Sequence, residues 1–552
     1  MGAAWEDSTG NTIINAEGAL GDNDTVSSGA VYIYKRKNHK RVQEAFIKSS
    51  NSNAGDRFGE RALAISGDTA VISSPGEQSN QTTITNGTTS STDNSITSNA
   101  GAVYVYKRTG SSWQQEAYIK PGNPGIDYYF GRSVDISGDL LVVGQHMDPS
   151  GDTTIINGTG SIASSSGGGG SAYVYRRNGS TWQQEAYLKA SNTGSGDAFG
   201  ENVGVSGDTI VVSAYWDDNG LTTILNGPGT PTEPSTVNNA GSAFVFKKTG
   251  GLWAQEAYLK ASNANAGHAF GRSAVIAGDT IAIGAMQENS NQSTITNGST
   301  ASSDTSISEA GAVYVFKRTG ANWAQEAYIK SPKPEVRDWF GDFTEISGNT
   351  LVVFSWREDS NQTTITNGTG FSSDASAISA GASYVYKRTG NNWVQEAYLK
   401  ASNATASFRL GQVSISGDTI AVGSWGDETS QSTITNGVTS VNDSSLFAAG
   451  AVLVFKNMSR MFEPSDIQIT GSAGTINFKW DAKLGSRKAV KIVYASGSTP
   501  PANCGLGNIF YEGSQKSASL GGFSAGTYSF RVCTSDGGSA YTQGLTFSNW
   551  EL

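Results

Sequence analysis

Short runs of alternating apolar and polar residues cover most of this chain, and clusters of Gly, Asn, Ser, Thr and Asp separate them. A period of two predicts β-strands, and Gly-Asp pairs between two such runs predict hairpin turns. The composition agrees, since the chain has 68 Gly and 12 Pro, and only 16% of its residues are charged. That mixture is typical of many short strands joined by turns, and long helices do not have it. We therefore predict an all-β protein.

One set of these runs returns about every 70 residues, which predicts a repeat architecture. A copy opens on Phe-Gly and continues through a strand, a tight Ser-Gly-Asp-Thr turn, a second, apolar strand and a long polar loop. A third strand of the type Gly-Ala-Val-Tyr-Val-Tyr follows, and then a fourth, which is Trp-Gln-Gln-Glu-Ala-Tyr-Ile-Lys at 113–120. The third strand occurs seven times, starting at Ala30, Ala102, Ala172, Ala243, Ala312, Ala382 and Ala451. Four antiparallel strands with two apolar faces predict a propeller blade, whose neighbours cover both faces.

The first and last copies are incomplete. Met1 aligns with Val422 inside a second strand, so the first copy has no first strand, and the last copy, which ends near Lys456, has no fourth. The repeat arithmetic predicts about 30 further residues upstream that complete the last blade and close the ring. Closure removes the exposed edge of a sheet.

These residues resemble the FG-GAP repeat family. The resemblance rests on Phe-Gly at Phe58, Phe130, Phe199, Phe270 and Phe340, on Leu410-Gly411, and on the second and third strands. It implies a seven-bladed β-propeller over residues 1–457, similar to integrin α-subunit propellers and to bacterial surface or secreted proteins. It also implies an extracellular or cell-surface location, with an outer-membrane lipoprotein as one form. In integrins the face that carries the long loops meets ligands.

Calcium is the cofactor that this resemblance brings into question. Integrin blades that bind calcium carry an Asp-rich loop between the first and second strands, whereas every complete copy here has the short turn. A two-residue turn does not supply the six to eight oxygens that calcium takes. We expect no cofactor and no metal site, with calcium bound by the loops, away from the integrin-type position, as the alternative.

A different pattern begins after the repeats. We predict a linker at 458–463 and a β-sandwich at 464–552, where Trp480, Leu520 and Tyr528 resemble an immunoglobulin-like fibronectin type III domain with its tyrosine corner. Such a domain acts as a spacer or as a protein-binding unit. Cys504 and Cys533 both fall in this segment, which favours a local disulfide, with two buried free thiols as the alternative.

Charge and hydropathy exclude two kinds of partner. The net charge of −10 provides no basic stripe for a nucleic acid. No run of about 18 apolar residues occurs, so we expect no membrane span.

The long loops hold the candidate binding residues. An Ile returns at one offset, and we expect it to anchor each loop: Ile13, Ile84, Ile155, Ile224, Ile295, Ile365 and Ile434. An acidic position opens every loop, and in four copies a Trp precedes it. The candidate ligand contacts are Trp5, Glu6, Asp7, Trp216, Asp217, Asp218, Trp356, Glu358, Asp359, Trp425, Asp427 and Glu428. Carboxylates beside an indole suit a sugar, a cation or a basic protein surface. In the alternative interpretation the acids cap turns and the indoles pack between blades.

The sequence offers little for catalysis. His39, His146 and His268 occupy non-equivalent positions of the repeat, and no nucleophile elbow, phosphate loop or dinucleotide motif stands in a strand-to-helix context. The Glu and Lys of the fourth strand, such as Glu116 and Lys120, recur in nearly every copy and are interpreted as structural. We predict that the chain is not an enzyme.

Three functions remain in order of preference. The first is an extracellular or cell-surface binding or adhesion protein that contacts a protein or glycan ligand through its long-loop face. The second is a structural subunit of an extracellular filament, sheath or surface layer, a homo-oligomer in which a strand donated between chains closes a neighbour's ring. The third is a polysaccharide-acting propeller enzyme.

Overall fold

A computed structural model describes residues 1–552 except 22, 38–39, 162–166, 233–235, 437–442, 447–448, 457–464, 473–474, 482–488, 498, 502–503, 505, 516, 522, 525, 536–544 and 552. The described part consists of strands, turns and loops, and no helix is found in it. It therefore holds no helix long and apolar enough to cross a membrane. The chain divides into two compact units, one of residues 1–417 and 421–453 and one of residues 418–420 and 454–552.

Seven antiparallel sheets follow one another along the repeat region, and we number them sheets 1 to 7. Sheet 1 contains β1 (Gly2–Ala3), β2 (Ile13–Ile14), β3 (Ala30–Lys37) and β4 (Lys40–Ile47). Sheet 2 contains β5 (Leu63–Ser66), β6 (Thr69–Ser74), β7 (Thr85–Asn86), β8 (Ala102–Thr109) and β9 (Ser112–Ile119). Sheet 3 contains β10 (Val134–Ser137), β11 (Leu140–Gln145), β12 (Ile156–Asn157), β13 (Ser171–Asn178) and β14 (Thr181–Leu188). Sheet 4 contains β15 (Phe199–Ser206), β16 (Thr209–Ala214), β17 (Leu225–Asn226), β18 (Ser242–Thr249) and β19 (Leu252–Leu259).

Sheet 5 contains β20 (Phe270–Ala277), β21 (Thr280–Ala285), β22 (Thr296–Asn297), β23 (Ala312–Thr319) and β24 (Asn322–Ile329). Sheet 6 contains β25 (Thr344–Ser347), β26 (Thr350–Ser355), β27 (Thr366–Asn367), β28 (Ala382–Thr389) and β29 (Asn392–Leu399). Sheet 7 contains β30 (Leu410–Ser416), β31 (Thr419–Ser424) and β32 (Ala451–Lys456).

Each complete sheet has the four predicted strands in order and one short strand more. In sheet 2 the order is β5-β6-β8-β9-β7, so a two-residue strand from the long loop pairs outside the fourth strand. The predicted tight turn joins β5 to β6, with Ser66 opposite Thr69 and Gly67 at a φ of 57°. A positive φ at that position is what a type II′ hairpin turn requires. The sequence predicted the four strands and missed the fifth.

A β-bulge interrupts each fourth strand. In sheet 2, Val105 faces Ala117 and Tyr106 faces Gln115, so Glu116 is an extra residue without a partner across the strand pair. Sheets 1, 3, 4, 5 and 6 have the same shift of register. A bulge redirects a side chain. Here the bulge directs the glutamate side chain away from its own sheet, so that it contacts the next sheet.

The core lies between consecutive sheets. One hydrophobic cluster joins Val142 and Val174 of sheet 3 to Val212 and Phe244 of sheet 4, and all four are fully buried. The aromatic ring of the Phe-Gly motif completes such a cluster, since Phe199 packs edge-on against Phe244 with ring centroids 5.4 Å apart. Sheets 2 to 5 each take part in two such clusters and so hide both apolar faces against their neighbours, which is the packing expected of a propeller.

The glycine before each third strand is required by a close approach of two chain segments. Gly241 has a φ of 79°, and a Cβ there would lie 2.1 Å from the carbonyl oxygen of Phe270. The two residues form a parallel bridge between sheets 4 and 5. No side chain fits in that space.

A recurring set of polar contacts, which we call the clasp, fastens each fourth strand to the preceding sheet. Asn86 of β7 accepts a hydrogen bond from the backbone N–H of Trp182 at 2.7 Å and donates one to its carbonyl at 3.2 Å. Glu116 accepts from Trp182 Nε1 at 2.9 Å and pairs with Arg177 at 3.0 Å. The Asn contact joins Asn15 to Trp113, Asn86 to Trp182, Asn157 to Trp253, Asn226 to Trp323, Asn297 to Trp393 and Asn436 to Arg41. The last pair connects the loop after sheet 7's second strand to sheet 1.

The second unit contains two further antiparallel sheets. One has the order β33-β34-β37 and the other β36-β35-β38-β39. Their strands are β33 (Ser465–Ser472), β34 (Thr475–Asp481), β35 (Ala489–Ser496), β36 (Asn508–Gly513), β37 (Ser517–Gly521), β38 (Thr527–Ser535) and β39 (Leu545–Glu551). Buried residues of both sheets, among them Phe478 and Phe530, form one core, and Leu520 packs against it.

Two features of this unit match the sequence predictions. A disulfide joins Cys504 to Cys533, the pairing that the sequence favoured. The Tyr528 hydroxyl donates a hydrogen bond to the carbonyl of Ser524 at 3.0 Å, as a tyrosine corner does. The side chain of Trp480 lies outside the described part, as do the predicted linker residues 458–463.

Candidate functional site

The first acidic residue of each long loop is turned inward. Glu358 is 4% exposed, and its carboxylate accepts hydrogen bonds from Lys400 Nζ and from the Tyr398 hydroxyl, both at 2.7 Å. Asp217 is 1% exposed and accepts from the hydroxyl of Tyr258. Glu6 pairs with the buried Lys48, and Asp427, 2% exposed, accepts from Asn403. Each of these four carboxylates binds a side chain in a fourth strand or just after one, and so holds the start of its long loop in place.

The second acidic residue stabilises a strained turn. Asp7, Asp218 and Asp359 accept hydrogen bonds from the backbone N–H of Ser27, Asn239 and Ser379, at 2.6, 2.8 and 2.7 Å. Each of the three donors has a positive φ, between 53° and 55°. These contacts match the alternative interpretation, in which the acids cap turns, and the burial of the first acid speaks against ligand contact. Glu428, by contrast, is exposed.

The tryptophans at this position point outward instead. Trp5 is 72% exposed, Trp425 59% and Trp216 37%, while Trp356 is half-buried. Exposed indoles are candidate contacts because aromatic side chains are enriched at binding surfaces. Of the predicted site residues, the tryptophans and Glu428 therefore remain as candidate ligand contacts.

Two arginines stack between three of the indoles on the loops of sheets 6 and 7. The Arg357 guanidinium lies 4.4 Å from the ring centroid of Trp339 and 4.7 Å from that of Trp356. The Arg409 guanidinium lies 5.8 Å from Trp356 and 5.1 Å from Trp425. We call these five side chains the Trp–Arg ladder. Its cation–π contacts fall within the distance at which such pairs attract.

The ladder cations have no anionic partner in the part of the chain that the structure describes. The Nε atoms of Arg357 and Arg409 are buried and make no hydrogen bond there. By contrast Arg318, which also stacks on an indole, pairs with Glu256 at 3.1 Å and with Asp279. Because a buried guanidinium donor without an acceptor is costly, an added anion is favoured at the ladder.

Sequence reasoning missed Trp339, Arg357 and Arg409. Trp339 and Arg409 occupy the position before Phe-Gly or Leu-Gly, and the residue there has a positive φ in every copy: Arg57, Tyr129, Ala198, Ala269, Trp339 and Arg409. A non-glycine residue in the left-handed region costs about 1–2 kcal/mol. The signal available in the sequence was therefore the residue before Phe-Gly, which varies from copy to copy while the motif itself is nearly constant.

A second charged group, which we call the axial charge network, lies at the position after Phe-Gly. Arg132 Nε lies 2.7 Å from Glu201, Arg272 pairs with the same carboxylate at 2.8 Å, and Arg272 Nε reaches Asp342 at 2.8 Å. His146 lies 3.9 Å from Glu201, and burial lowers the pKa of His146 to about 4, so it is neutral at pH 7. From sheet 3 to sheet 6, positive and negative side chains therefore alternate, and each forms an ion pair with a neighbour of opposite charge.

The described residues contain no cluster suited to a metal ion. No group of three or more His, Cys, Asp or Glu there is arranged to hold a metal ion. His268 is buried, and burial lowers its pKa. His39 lies outside the described part.

The buried Asp338, next to Trp339, makes stability depend on pH. It is 2% exposed, and burial, with the charges of Glu335 and Glu358 as smaller causes, raises the pKa of Asp338 to about 8. A carboxyl with a raised pKa keeps its proton in the folded state and loses it in the unfolded chain. Its contribution to stability is present below the unfolded pKa of about 4 and is lost as the pH rises to about 8.

Asp338→Asn is expected to reduce this loss, because the amide stays neutral and its oxygen still accepts the N–H of Glu335, 2.9 Å away. Between pH 5 and pH 9 the free energy of unfolding should fall by at least about 1 kcal/mol more in the parent protein than in the variant. Urea denaturation at the two pH values measures this difference. Equal falls in both proteins would contradict it.

Comparison with known proteins finds a family that matches part of the repeat region. The family described as FG-GAP repeat matches residues 113–175, 182–246, 253–316 and 393–437. Four segments of this chain are therefore similar to FG-GAP repeats. The first three matches begin at the clasp tryptophan of one sheet and end in the third strand of the next, so a family repeat spans the junction between two sheets. The repeats and the antiparallel sheets together support an FG-GAP β-propeller.

Other comparisons add little to the FG-GAP assignment. Among solved structures, the crystal structure of the Saccharomyces cerevisiae Sqt1 is similar at a TM-score of 0.31 and 7% identity, over 77% of this chain and 93% of the other. No curated protein sequence matches this chain.

Proposed function

We propose that residues 1–457 form a seven-bladed propeller in which sheet 7 meets sheet 1, with the first blade lacking its first strand and the last blade its fourth. We also propose that a fibronectin type III-like sandwich follows at 464–552, and that the protein is an extracellular or cell-surface binding protein. The hydrogen bond between Asn436 and Arg41 supports closure, because it repeats between the last sheet and the first the contact that joins consecutive sheets. The disulfide of Cys504 and Cys533 supports an oxidising compartment. The tyrosine corner at Tyr528 supports the sandwich type.

The Trp–Arg ladder carries the functional proposal. Indole faces stack on sugar rings, and guanidinium groups bind carboxylate and sulfate groups with two parallel hydrogen bonds. Arg357 and Arg409 lack an anionic partner in the described part, and Trp425 next to them is 59% exposed. We therefore propose an acidic glycan as ligand, with its sugars on the indoles and its anionic groups on the arginines.

Binding of acidic and neutral polysaccharides to the full chain tests this function. Polygalacturonate, alginate and chondroitin sulfate serve as acidic probes, with dextran as the neutral one, and isothermal titration calorimetry gives the affinity. We expect an acidic probe to bind and dextran to bind at least about tenfold more weakly. Arg357→Ala combined with Arg409→Ala should weaken acidic-glycan binding by about tenfold or more, since a hydrogen bond to a charged group contributes about 1.5–3 kcal/mol. Affinity should also fall with added salt.

Trp216→Ala is the matched control for Trp425→Ala. Both tryptophans lie just before the first acidic residue of a long loop, but Trp216 packs against Tyr215, and no arginine of the described part lies over its ring. Trp425→Ala should weaken binding, and Trp216→Ala should leave it within about twofold, as expected away from the contact surface. An absence of binding to every acidic probe, or equal effects of the two variants, would contradict the proposal. The prediction that the chain is not an enzyme stays a prediction.

A further inference from the structure

A pocket of about 200 Å³ lies between two loops of sheet 5. One wall is the loop that leads into β20, which we call the approach loop, and the other is the long loop of the same sheet. The approach loop contributes Asn263, Ala264, Asn265 and His268, and the long loop contributes residues 302–305. Most of these side chains are polar, which suits a ligand that makes hydrogen bonds.

The imidazole of His268 is buried in this pocket without a partner. The residue is 1% exposed, and neither ring nitrogen has a hydrogen-bond partner among the residues that the structure describes. Burial lowers the pKa of His268, with the charges of Glu288 and Lys330 as smaller causes, so the ring is neutral at pH 7. A neutral imidazole has one donor nitrogen and one acceptor nitrogen. Because buried polar atoms without partners are unfavourable, a ligand that donates to the ring is favoured.

His268 also departs from the repeat. In sheet 2 the same position is Asp56, which accepts the backbone N–H of Asn53 at 2.8 Å. In sheet 6 it is Asp338, which accepts the backbone N–H of Glu335 at 2.9 Å. These carboxyl groups hold their own approach loops closed. The imidazole makes no such contact with the described residues, so its ring nitrogens are left for another group.

Sheet 6 places an ammonium group at the equivalent position. Lys333 occupies the position of Asn263, and its Nζ donates to the carbonyl of Asp374 at 3.0 Å and lies 2.9 Å from the carboxylate of Glu335. Asp374 is the equivalent of Asp304, since each accepts the backbone N–H of the residue thirteen positions before it. The repeat thus shows which group this space accepts in a neighbouring sheet.

Asn263 does not reach as far as Lys333. Its side chain is shorter, and it donates to the carbonyl of Ser302 at 2.6 Å, two residues before Asp304. The hydrogen bonds that the Asp304 carboxylate accepts from Asn291 and Ser306 all end on Oδ2. The carbonyl oxygen and Oδ1 of Asp304 therefore remain as acceptors for a ligand, beside the ring of the histidine.

The long loop that forms one wall is anchored to the core. Ile295 packs against the hydrophobic cluster that contains Trp393, so the loop is held in place without a ligand. The prediction that each loop isoleucine anchors its loop is confirmed for Ile13, Ile84, Ile155, Ile224 and Ile295. It is wrong for Ile365 and Ile434, which are 48% and 39% exposed. The pocket of sheet 5 thus belongs to a loop whose anchor is in place.

We propose that this pocket binds the ammonium group of a lysine side chain from a partner protein. An ammonium group has three donors and no acceptor. The carbonyl oxygen of Asp304, its Oδ1 and a ring nitrogen of His268 are three acceptors, and the carboxylate supplies the compensating charge. A lysine is favoured over an amino sugar because sheet 6 uses a lysine here, whose flexible stem lies against apolar surface such as Ala264.

The lysine pocket does not depend on the glycan proposal, because the pocket and the Trp–Arg ladder share no residue. Loss of glycan binding in the arginine variants therefore leaves the lysine pocket unaffected. Conversely, an empty lysine pocket would not bear on the ladder.

Titration of the full chain with Nα-acetyl-lysine methylamide tests the pocket. The chain has three histidines, so isotope labelling of histidine alone gives few imidazole signals in NMR spectra, and a His268→Gln variant assigns the signal of interest. We expect saturable shifts of the His268 signal and none of the His146 signal. The same compound with an acetylated Nε has no charge and should bind at least about tenfold more weakly.

Asn263→Lys should fill the pocket from within. The new ammonium group reaches Asp304 as Lys333 reaches its own partner, so the lysine probe should bind at least about tenfold more weakly. Asn51→Lys is the matched control. Asn51 holds the same position in sheet 2 and donates to the carbonyl of Ser91 at 2.7 Å, so the two variants lose the same kind of contact. Asn51→Lys should leave binding of the probe unchanged.

Thr305→Phe provides a second block at the edge of the pocket. Thr305 is exposed, so this change leaves the buried contacts of the approach loop intact and keeps the test valid if Asn263→Lys does not fold. Circular dichroism checks the fold of each variant. We expect binding of the lysine probe to weaken by about threefold or more.

Four outcomes would overturn the lysine pocket. The first is no shift of the His268 signal with the lysine probe, and the second is equal binding of the charged and the acetylated compound. The third is binding that both Asn263→Lys and Thr305→Phe leave unchanged. The fourth is tighter binding of glucosamine than of the lysine probe, which would make an amino sugar the occupant.

Discussion

Replacing Trp323 with alanine is expected to lower the free energy of unfolding by about 3–5 kcal/mol. The side chain is 2% exposed, and Arg318 stacks on its ring at 5.3 Å. The change removes the buried indole and leaves the carboxylate of Glu256, which accepts from Nε1 at 2.9 Å, without that donor. The loss affects both sheets that meet at this junction, because the tryptophan and the glutamate belong to different sheets.

Urea denaturation followed by circular dichroism measures the effect. Trp323→Phe should retain most of the buried apolar surface but not the hydrogen bond to Glu256. Its free energy of unfolding should therefore lie between those of the parent and the alanine variant. Trp5→Ala, which removes an indole that is 72% exposed, is the matched control and should cost less than about 1 kcal/mol. Equal losses for Trp5→Ala and Trp323→Ala would show that the clasp does not hold the sheets together.

Replacing Glu201 with alanine is expected to destabilise the protein by about 3–5 kcal/mol, because it leaves two arginines of the axial charge network without this anion. The Glu201 side chain is 2% exposed, and those of Arg132 and Arg272 are 15% and 19% exposed. Arg272 keeps Asp342 as a partner, so Arg132 loses more. Removing one member of a buried ion pair costs more than the pair itself contributes.

Asp68→Ala is the matched control for this prediction. Asp68 also pairs with an arginine, Arg108, at 2.6 Å, but its side chain is 53% exposed. An exposed pair contributes at most about 1 kcal/mol and is screened by salt. Denaturation in low and high salt therefore separates the two variants, and a Glu201→Ala loss no larger than that of Asp68→Ala would contradict the buried network.

Much of the fold was predictable because its signals are local. Alternation, the Gly-Asp turns and the repeated Phe-Gly motif indicated the strands, their order and the repeat, and the FG-GAP matches agree. The short strands such as Thr85–Asn86 were missed because two residues carry no periodicity. The glutamate of the fourth strand was interpreted as structural, correctly, but its partners were not predicted, since Glu116 bonds Trp182 of another sheet and not Lys120.

The candidate site was predicted less well. Trp356 and Trp425 were identified, but three acids beside them that were assigned to a ligand, Glu358, Asp359 and Asp427, bind groups of the protein itself. A sequence shows that Trp216 and Asp217 are neighbours and not that one is 37% and the other 1% exposed. Trp339 and Arg409 were missed because the residue before Phe-Gly or Leu-Gly varies from copy to copy, so no regular pattern drew attention to that position.

By itself, the sequence determined the local elements and the repeat, because a period of two and a two-residue turn depend on residues close together in the chain. Only the tertiary structure decided which charges are paired and which are left over, since those contacts join residues far apart, such as Asn436 and Arg41. Arg318 and Arg409 stack on indoles alike, and only the folded chain places a glutamate beside the first. The physical reason is that the ionic partner of a side chain depends on which sheets lie next to each other, and the sequence of a single repeat does not specify that arrangement.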